Sequence, residues 1–154
     1  MNLRRARMND AELLFAWAND PVTRQNSFSR EPIAWENHMS WFEKKLADQN
    51  CLFLILEDKI DNERVACGSI RYDLRSEKEA LISYQIAPEQ RGKGYGEAMI
   101  RLGEAEVKSV FGDIKLIAEV RLENEASKKC FEKNGYAVAE VNEREVIYEN
   151  PYTE

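Results

Sequence analysis

The sequence predicts a mixed α/β fold: one central sheet of about seven strands, mostly antiparallel, flanked by about four helices. Three observations predict it. Short apolar runs alternate with segments of helical period along the chain. The runs Cys51–Glu57, Val65–Tyr72 and Ala80–Ala87 are separated by tight polar turns, which makes the middle of the sheet antiparallel. A long helical segment from about Tyr95 to Val110 then leads to another strand candidate, Ile114–Val120, and a helix of that length suits a parallel crossover.

In chain order, Leu3–Arg7 reads as a first strand. Asn9, with Glu12 three places on, reads as a capping box opening a helix over Ala11–Asn19, where Leu13, Leu14, Trp17 and Ala18 recur at helical spacing. Asp20-Pro21 is expected to end that helix, because proline disfavours a helical residue before it. The polar stretch Thr23–Arg30 has no sustained period and reads as a loop. A second helix starts near Pro32 or Ile33, its apolar stripe being Trp35, Met39, Phe42 and Leu46. After the three central strands comes the long helix, with Tyr95, Met99, Leu102 and Val110 on one side and Gly103 allowing close packing. A short helix over Asn124–Lys133, capped by Asn134-Gly135, and two last strands, Tyr136–Val141 and Glu145–Glu149, complete the order.

With 154 residues and no linker or repeat, the chain is expected to be one domain over 1–154. Its 44% hydrophobic and 32% charged residues describe a soluble globular protein. The formal charge of −6 argues against a bulk nucleic-acid binder, which needs a basic face. The apolar strip Cys51–Leu56 is too short to span a bilayer, and Met1–Arg5 lacks a signal peptide's apolar stretch. Cys51, Cys67 and Cys130 have no metal-like spacing and read as reduced core residues of a cytoplasmic protein; a single histidine leaves no metal site to expect.

The strongest local feature is Ala87-Pro88-Glu89-Gln90-Arg91-Gly92-Lys93-Gly94-Tyr95-Gly96, between a strand and a helix. Free amides at a helix start bind anions, glycine lets the backbone come close to them, and Arg91 and Lys93 raise the local potential. That points to phosphate or pyrophosphate, against the alternative of a plain turn. The spacing is Gly-x-Gly-x-Gly, not the Gly-x-Gly-x-x-Gly of dinucleotide folds, and no Gly-Lys-Ser/Thr follows.

Arg91, Gly94 and Gly96 resemble the acetyl-CoA signature of the GCN5-related N-acetyltransferase (GNAT) superfamily. Glu119–Ser127 and Cys130–Tyr136 resemble its second signature, and the element order agrees over nearly the whole chain. The resemblance implies the GNAT fold, splayed between the fourth and fifth strands, with acetyl-CoA as donor. It implies cofactor contacts at Ile86, Ala87, Arg91, Gly92, Lys93, Gly94, Tyr95, Gly96, Asn124, Ser127 and Phe131. Asn124 has a second role available as a helix N-cap.

Transfer to an amine needs a base, and Glu119, in an otherwise apolar strand, is the candidate; a plain ion pair with Arg121 or another cation is the alternative. Many family members place a tyrosine where this chain has Phe131, which has no proton to give. Tyr84 and Tyr136 are the candidate substitutes. The region between the first two helices is dense in polar and aromatic residues, and resembles acetyltransferases of bacterial pseudaminic and other nonulosonic acid pathways. That implies a nucleotide-linked deoxy-amino sugar as acceptor, with Arg24, Asn26, Phe28, Arg30, His38 and Trp41 as its contacts. Trp17, Trp35 and Phe42 read as core anchors, and His38 reads equally as a structural histidine. A protein N-terminal or small-amine acetyltransferase and a noncatalytic acyl-CoA-binding module remain open, as does a homodimer through the exposed last strands.

Overall fold

The computed structural model describes residues 1–150; positions 151–154, which the predicted domain includes, lie outside the described residues. The elements run β1 (Asn2–Arg5), α1 (Ala11–Ala18), α2 (Pro21–Gln25), α3 (Trp35–Ala47), β2 (Cys51–Ile60), β3 (Glu63–Ser76), β4 (Glu79–Ile86), α4 (Tyr95–Phe111), β5 (Lys115–Arg121), α5 (Glu125–Lys133), β6 (Ala137–Val141) and β7 (Glu145–Glu149). The strands form a seven-stranded sheet in the order β1-β2-β3-β4-β5-β7-β6, antiparallel except between β4 and β5. This is the mixed, mostly antiparallel α/β architecture of the GNAT fold.

The β4–β5 pairing is short. It runs from Glu79↔Lys115 to Ile82↔Ala118 and stops, although β4 continues to Ile86 and β5 to Arg121. Beyond that point each strand is held by its other neighbour. Ser83 to Ile86 stay paired with Arg71 to Gly68 of β3, and Glu119 to Arg121 with Ile147 to Glu145 of β7. The sheet therefore opens into a V whose facing backbone groups are not spent on each other, as expected.

Both faces of the sheet are covered, which is why Cys51 to Glu57 are all buried instead of alternating. Leu52, Leu54 and Leu56 face α4 and α5, packing with Ile70, Tyr72, Met99, Ile100 and Phe131. Cys51, Phe53 and Ile55 face the other way, against Leu14 and Trp17 of α1 and Phe42 of α3. Gly103 is required by close packing: a Cβ there would lie 1.9 Å from the Tyr72 hydroxyl oxygen. No described helix is long and apolar enough to cross a membrane.

Several expectations are corrected. Asn9 is not a cap but sits within a short 3-10 turn, Met8–Asp10, whose N-cap is Arg7. Asp10 supplies the local carboxylate instead, accepting from Arg4 at 2.7 and 2.9 Å and from the Arg7 amide at 2.9 Å. Pro21 starts a helix as well as following one: Asp20 accepts from the amides of Val22 and Thr23, and proline fits the first helical position. Trp17 and Phe42 are buried, but Trp35 is more than a third exposed, its ring edge against Phe15. Val110 is exposed, and Val107 takes its place in the buried stripe of α4.

Candidate active site

The glycine loop lies where β4 gives way to α4, beside the open V. Gly92 and Gly94 have φ of 78° and 83°, which disfavours any side chain, and a Cβ at either would meet nothing within 4 Å. The glycines thus serve backbone conformation and leave the approach to the α4 amides clear. Gly96 has a different reason: a Cβ there would stand 3.0 Å from Cys130 Sγ and 3.4 Å from a Tyr84 ring carbon. The start of α4 is thereby seated against β4 and α5.

Arg91 reaches from this loop to α2, where its Nη2 donates to the Asp20 carboxylate and, at 3.0 Å, to the Thr23 hydroxyl. The guanidinium holds the Asp20 carboxyl below its ordinary value. Lys93 donates to Gln90 Oε1 at 2.8 Å and does not line the cavity below.

Three cavities meet at Tyr84. One, of about 380 Å³, is lined by the loop residues Arg91, Gly92, Gly94, Tyr95 and Gly96, by Ile86 of β4, and by Asn124, Ser127 and Cys130 around α5. The second, about 270 Å³, fills the V between Leu81–Tyr84 and Ala118–Arg121, and includes Glu119, Asn26, Phe28 and Phe131. The third, about 460 Å³, lies under α1, α2 and α3, with Arg24, His38 and Trp41 in its walls.

Tyr84 donates to Ser127 Oγ at 3.0 Å, and burial, with Cys130 beside it, pushes the phenol above its ordinary value. It is a protonated donor at neutral pH. Glu119 lies on the opposite arm of the V, partly exposed, its Oε1 3.2 Å from Arg75 Nη2. The alternative reading, an ion pair with Arg121 or another cation, is met by Arg75; Arg121 itself donates to the Ser27 carbonyl and lies over Phe28. Phe131 is buried, packed edge-on against Tyr84 and Tyr136 at 5.8 and 5.1 Å between ring centres. Tyr136 is a core residue whose buried hydroxyl lines none of the three cavities, so it is no substitute acid.

The remaining expected residues divide. Asn124 caps α5, accepting from the Ser127 amide at 3.2 Å, while its side chain also borders the loop cavity. Ala87 is buried and its amide donates to the Cys67 carbonyl, outside the cavity lining. Arg24 borders the large cavity, but its guanidinium is spent on the carbonyls of Ala18, Ser29 and Glu31 and on Ser27 Oγ. Arg30 is exposed and lines none of the cavities. His38 is buried, its Nε2–H donating to the Ala11 carbonyl at 2.8 Å, with its ring parallel to Phe42. Cys130 is half-buried at the loop cavity, unlike the buried Cys51 and Cys67.

Residues that sequence reasoning missed form the floor of the large cavity. Phe53, Arg71 and Ser83 are register partners on adjacent strands, as are Ser69 and Gln85 beside them. The available signal was alternation in β3, where Ser69, Arg71 and Asp73 interleave with the buried Ile70 and Tyr72.

The fold and this cleft define an acyltransferase-type chain, and residues 1–137 match the acetyltransferase (GNAT) domain family. The chain belongs to that family. It is similar to a domain from Methanocaldococcus jannaschii DSM 2661, with 28% identity, 96% of each chain covered and a TM-score of 0.84. It also resembles spermidine N-acetyltransferase from Vibrio cholerae, solved in complex with CoA and spermine: 18% identity, 96% of this chain and 92% of that one, TM-score 0.82. A third similar structure is AAC(6')-Ib in complex with ribostamycin and coenzyme A, at 16% identity, 97% and 92% coverage and a TM-score of 0.80. No curated protein matches the sequence.

Proposed function

We propose that the protein is an acetyl-CoA-dependent N-acetyltransferase acting on the primary amine of a small molecule, and that this amine is the 4-amino group of a nucleotide-linked deoxy-amino sugar. The observation that carries the reading is the convergence on Tyr84 of a glycine-loop cavity, an open V and a larger cavity under the first helices. The family relationship supports the transfer chemistry. The aromatic wall and cationic character of the large cavity support a sugar linked to a phosphorylated nucleoside.

In this reading the amides at the start of α4, with Gly92 and Gly94, hold the pyrophosphate of acetyl-CoA. Arg91, Ile86, Ala87, Tyr95, Gly96, Asn124 and Ser127 line or support its seat. Lys93 acts on it through charge alone, and Phe131 packs beneath the arm. Bound there, acetyl-CoA supplies the acetyl group as a thioester. Glu119 takes the proton from the acceptor amine, directly or through water, as the new C–N bond forms. Tyr84 gives the phenolic proton to the departing sulfur as the C–S bond breaks, a role open to it because its hydroxyl is protonated. Asn26, Phe28 and Trp41 flank the acceptor, while Arg24 and His38 shape its cavity through backbone carbonyls.

The test is acetyl-CoA consumption with nucleotide-linked 4-amino-deoxysugars, reading the acetylated product by mass spectrometry. Product gaining one acetyl group is the expected result. Acetylation of peptides in preference to sugars moves the assignment to a protein N-terminal enzyme. Saturable acetyl-CoA binding without transfer to any amine makes the chain a binding module.

A further inference from the structure

We propose that Arg71 selects the acceptor by an oxyanion, a carboxylate or phosphate carried on the same molecule as the amine. The proposal rests on reading the 460 Å³ cavity as the acceptor's seat.

The cavity has an uncommon charge balance. Its lining contains two guanidinium groups, Arg24 and Arg71, and no Asp or Glu. In a chain with 28 acidic residues against 22 basic ones, that is a local inversion of sign. The two arginines are held in different ways. All three nitrogens of Arg24 face backbone carbonyls or a serine hydroxyl, so it contributes charge but offers no free fork. Arg71 uses only Nε, donating to Asp73 Oδ2 at 2.7 Å. Among the described residues, neither of its terminal nitrogens has a hydrogen-bond partner.

Asp73 does not cancel this charge. Its other oxygen accepts from Lys45 Nζ at 2.8 Å, so one carboxylate serves two cations and the cluster remains net positive. The guanidinium is also fixed in place. Its carbon lies 4.9 Å from the centre of the Trp41 ring and 5.8 Å from that of Phe53. A stacked, pre-oriented guanidinium with its terminal edge free suits bidentate recognition of a carboxylate or phosphate, and loses little entropy on binding. A polycation such as spermine would instead enter a cavity with no carboxylate in its lining.

The experiment titrates matched pairs into CoA-saturated protein by calorimetry: phenylalanine and its methyl ester, glucosamine 6-phosphate and glucosamine, with spermine as a cationic control. The member that carries the oxyanion should, in at least one pair, bind about tenfold or more tightly than the partner that lacks it. The pair that shows it tells carboxylate from phosphate. R71Q should abolish the preference and R71K retain part of it, with CoA affinity unchanged in both as evidence of an intact fold. Equal binding within both pairs, tighter binding of spermine, or a preference that survives R71Q overturns the proposal. Repeating the series with acetyl-CoA separates the two readings, since selective binding of the oxyanion-bearing member supports the seat whether or not these probes are acetylated, while the enzyme assignment stands or falls on transfer to any amine.

Discussion

The two ends of the cleft are built by opposite strategies. The glycine-loop end is centred on one run of neighbouring residues, Gln90 to Gly96, with Ile86 and residues around α5 completing its wall, and it presents main-chain amides at the head of α4. The large cavity draws on residues from Leu14 to Gln85, spread over three helices, three strands and a loop, and its working groups are side chains. A backbone site is local and tolerates change around it. A side-chain site exists only once strand register and helix docking have assembled it. Single substitutions should therefore act sharply at the point where the two ends meet, and weaken toward either end.

Glu119→Gln gives the largest expected effect if this carboxylate is the base: a fall in kcat of about 10²-fold or more, with little change in the KM for acetyl-CoA. The residue is partly exposed and, among the described residues, bonded only to Arg75, so the melting temperature should hardly move. Arg75→Gln separates the roles. If the pair is merely a surface ion pair, both variants should leave kcat intact, and steady-state kinetics on the two decides it.

Arg24→Met comes next and should act on stability instead of chemistry. It strips the donors from the carbonyls of Ala18, Ser29 and Glu31, which tie the segment after α2 back to α1. A loss of about 1–3 kcal/mol is expected in denaturant unfolding. Retained stability with a selective rise in acceptor KM would return Arg24 to the recognition role that its residue type suggested.

These cases show which parts were legible in the sequence. The V opening was, through the resemblance to the GNAT superfamily; the element order by itself gave only the parallel crossover, and the structure adds that antiparallel partners claim the far ends of β4 and β5. The glycine loop was, because positive φ and close approach leave few residue choices. The cavity under the first helices was only half legible. Sequence density around Arg24–Trp41 pointed to the helices that wall it, but not that Arg24 faces carbonyls, that Arg30 faces solvent, or that Arg71 lies beneath. The alternation in β3 puts Arg71 on one face of the sheet, but only the Phe53↔Arg71↔Ser83 register, set between distant segments, brings it under these helices. Pro21 misled for a related reason, since the same residue that ends one helix is well suited to begin the next.

Gly94→Ala is a smaller test, at the backbone end. An added Cβ meets nothing within 4 Å, so the cost is conformational alone: about 1 kcal/mol for holding a side-chain-bearing residue at φ of 83°. Part of that strain is relieved if the loop shifts, which would misalign the α4 amides and raise the Kd for acetyl-CoA. Gly96→Ala should behave differently, because its Cβ would press on the Cys130 sulfur and the Tyr84 ring. Thermal melts of the two variants with and without acetyl-CoA compare conformational strain with packing.

The smallest expected effect lies in the surface clasp between the glycine loop and the start of α2, away from Tyr84 where the cavities meet. Arg91 holds the Asp20 carboxyl below its unfolded value, so this pair adds stability above about pH 3.9 and loses it as pH falls through the lower folded value. The pair is partly exposed, and its contribution should not exceed about 1 kcal/mol. In Arg91→Ala the acid limb of the stability profile should flatten by that amount, while the limb due to Asp10, held down by Arg4 and the Arg7 amide against its own burial, stays. Acetyl-CoA sharpens the comparison. If its phosphates draw Arg91 away from Asp20, the wild-type acid limb should flatten in its presence as it does in the variant. An acid limb that acetyl-CoA leaves unchanged would mean that Arg91 stays with α2 and that the α4 amides carry the anion without it.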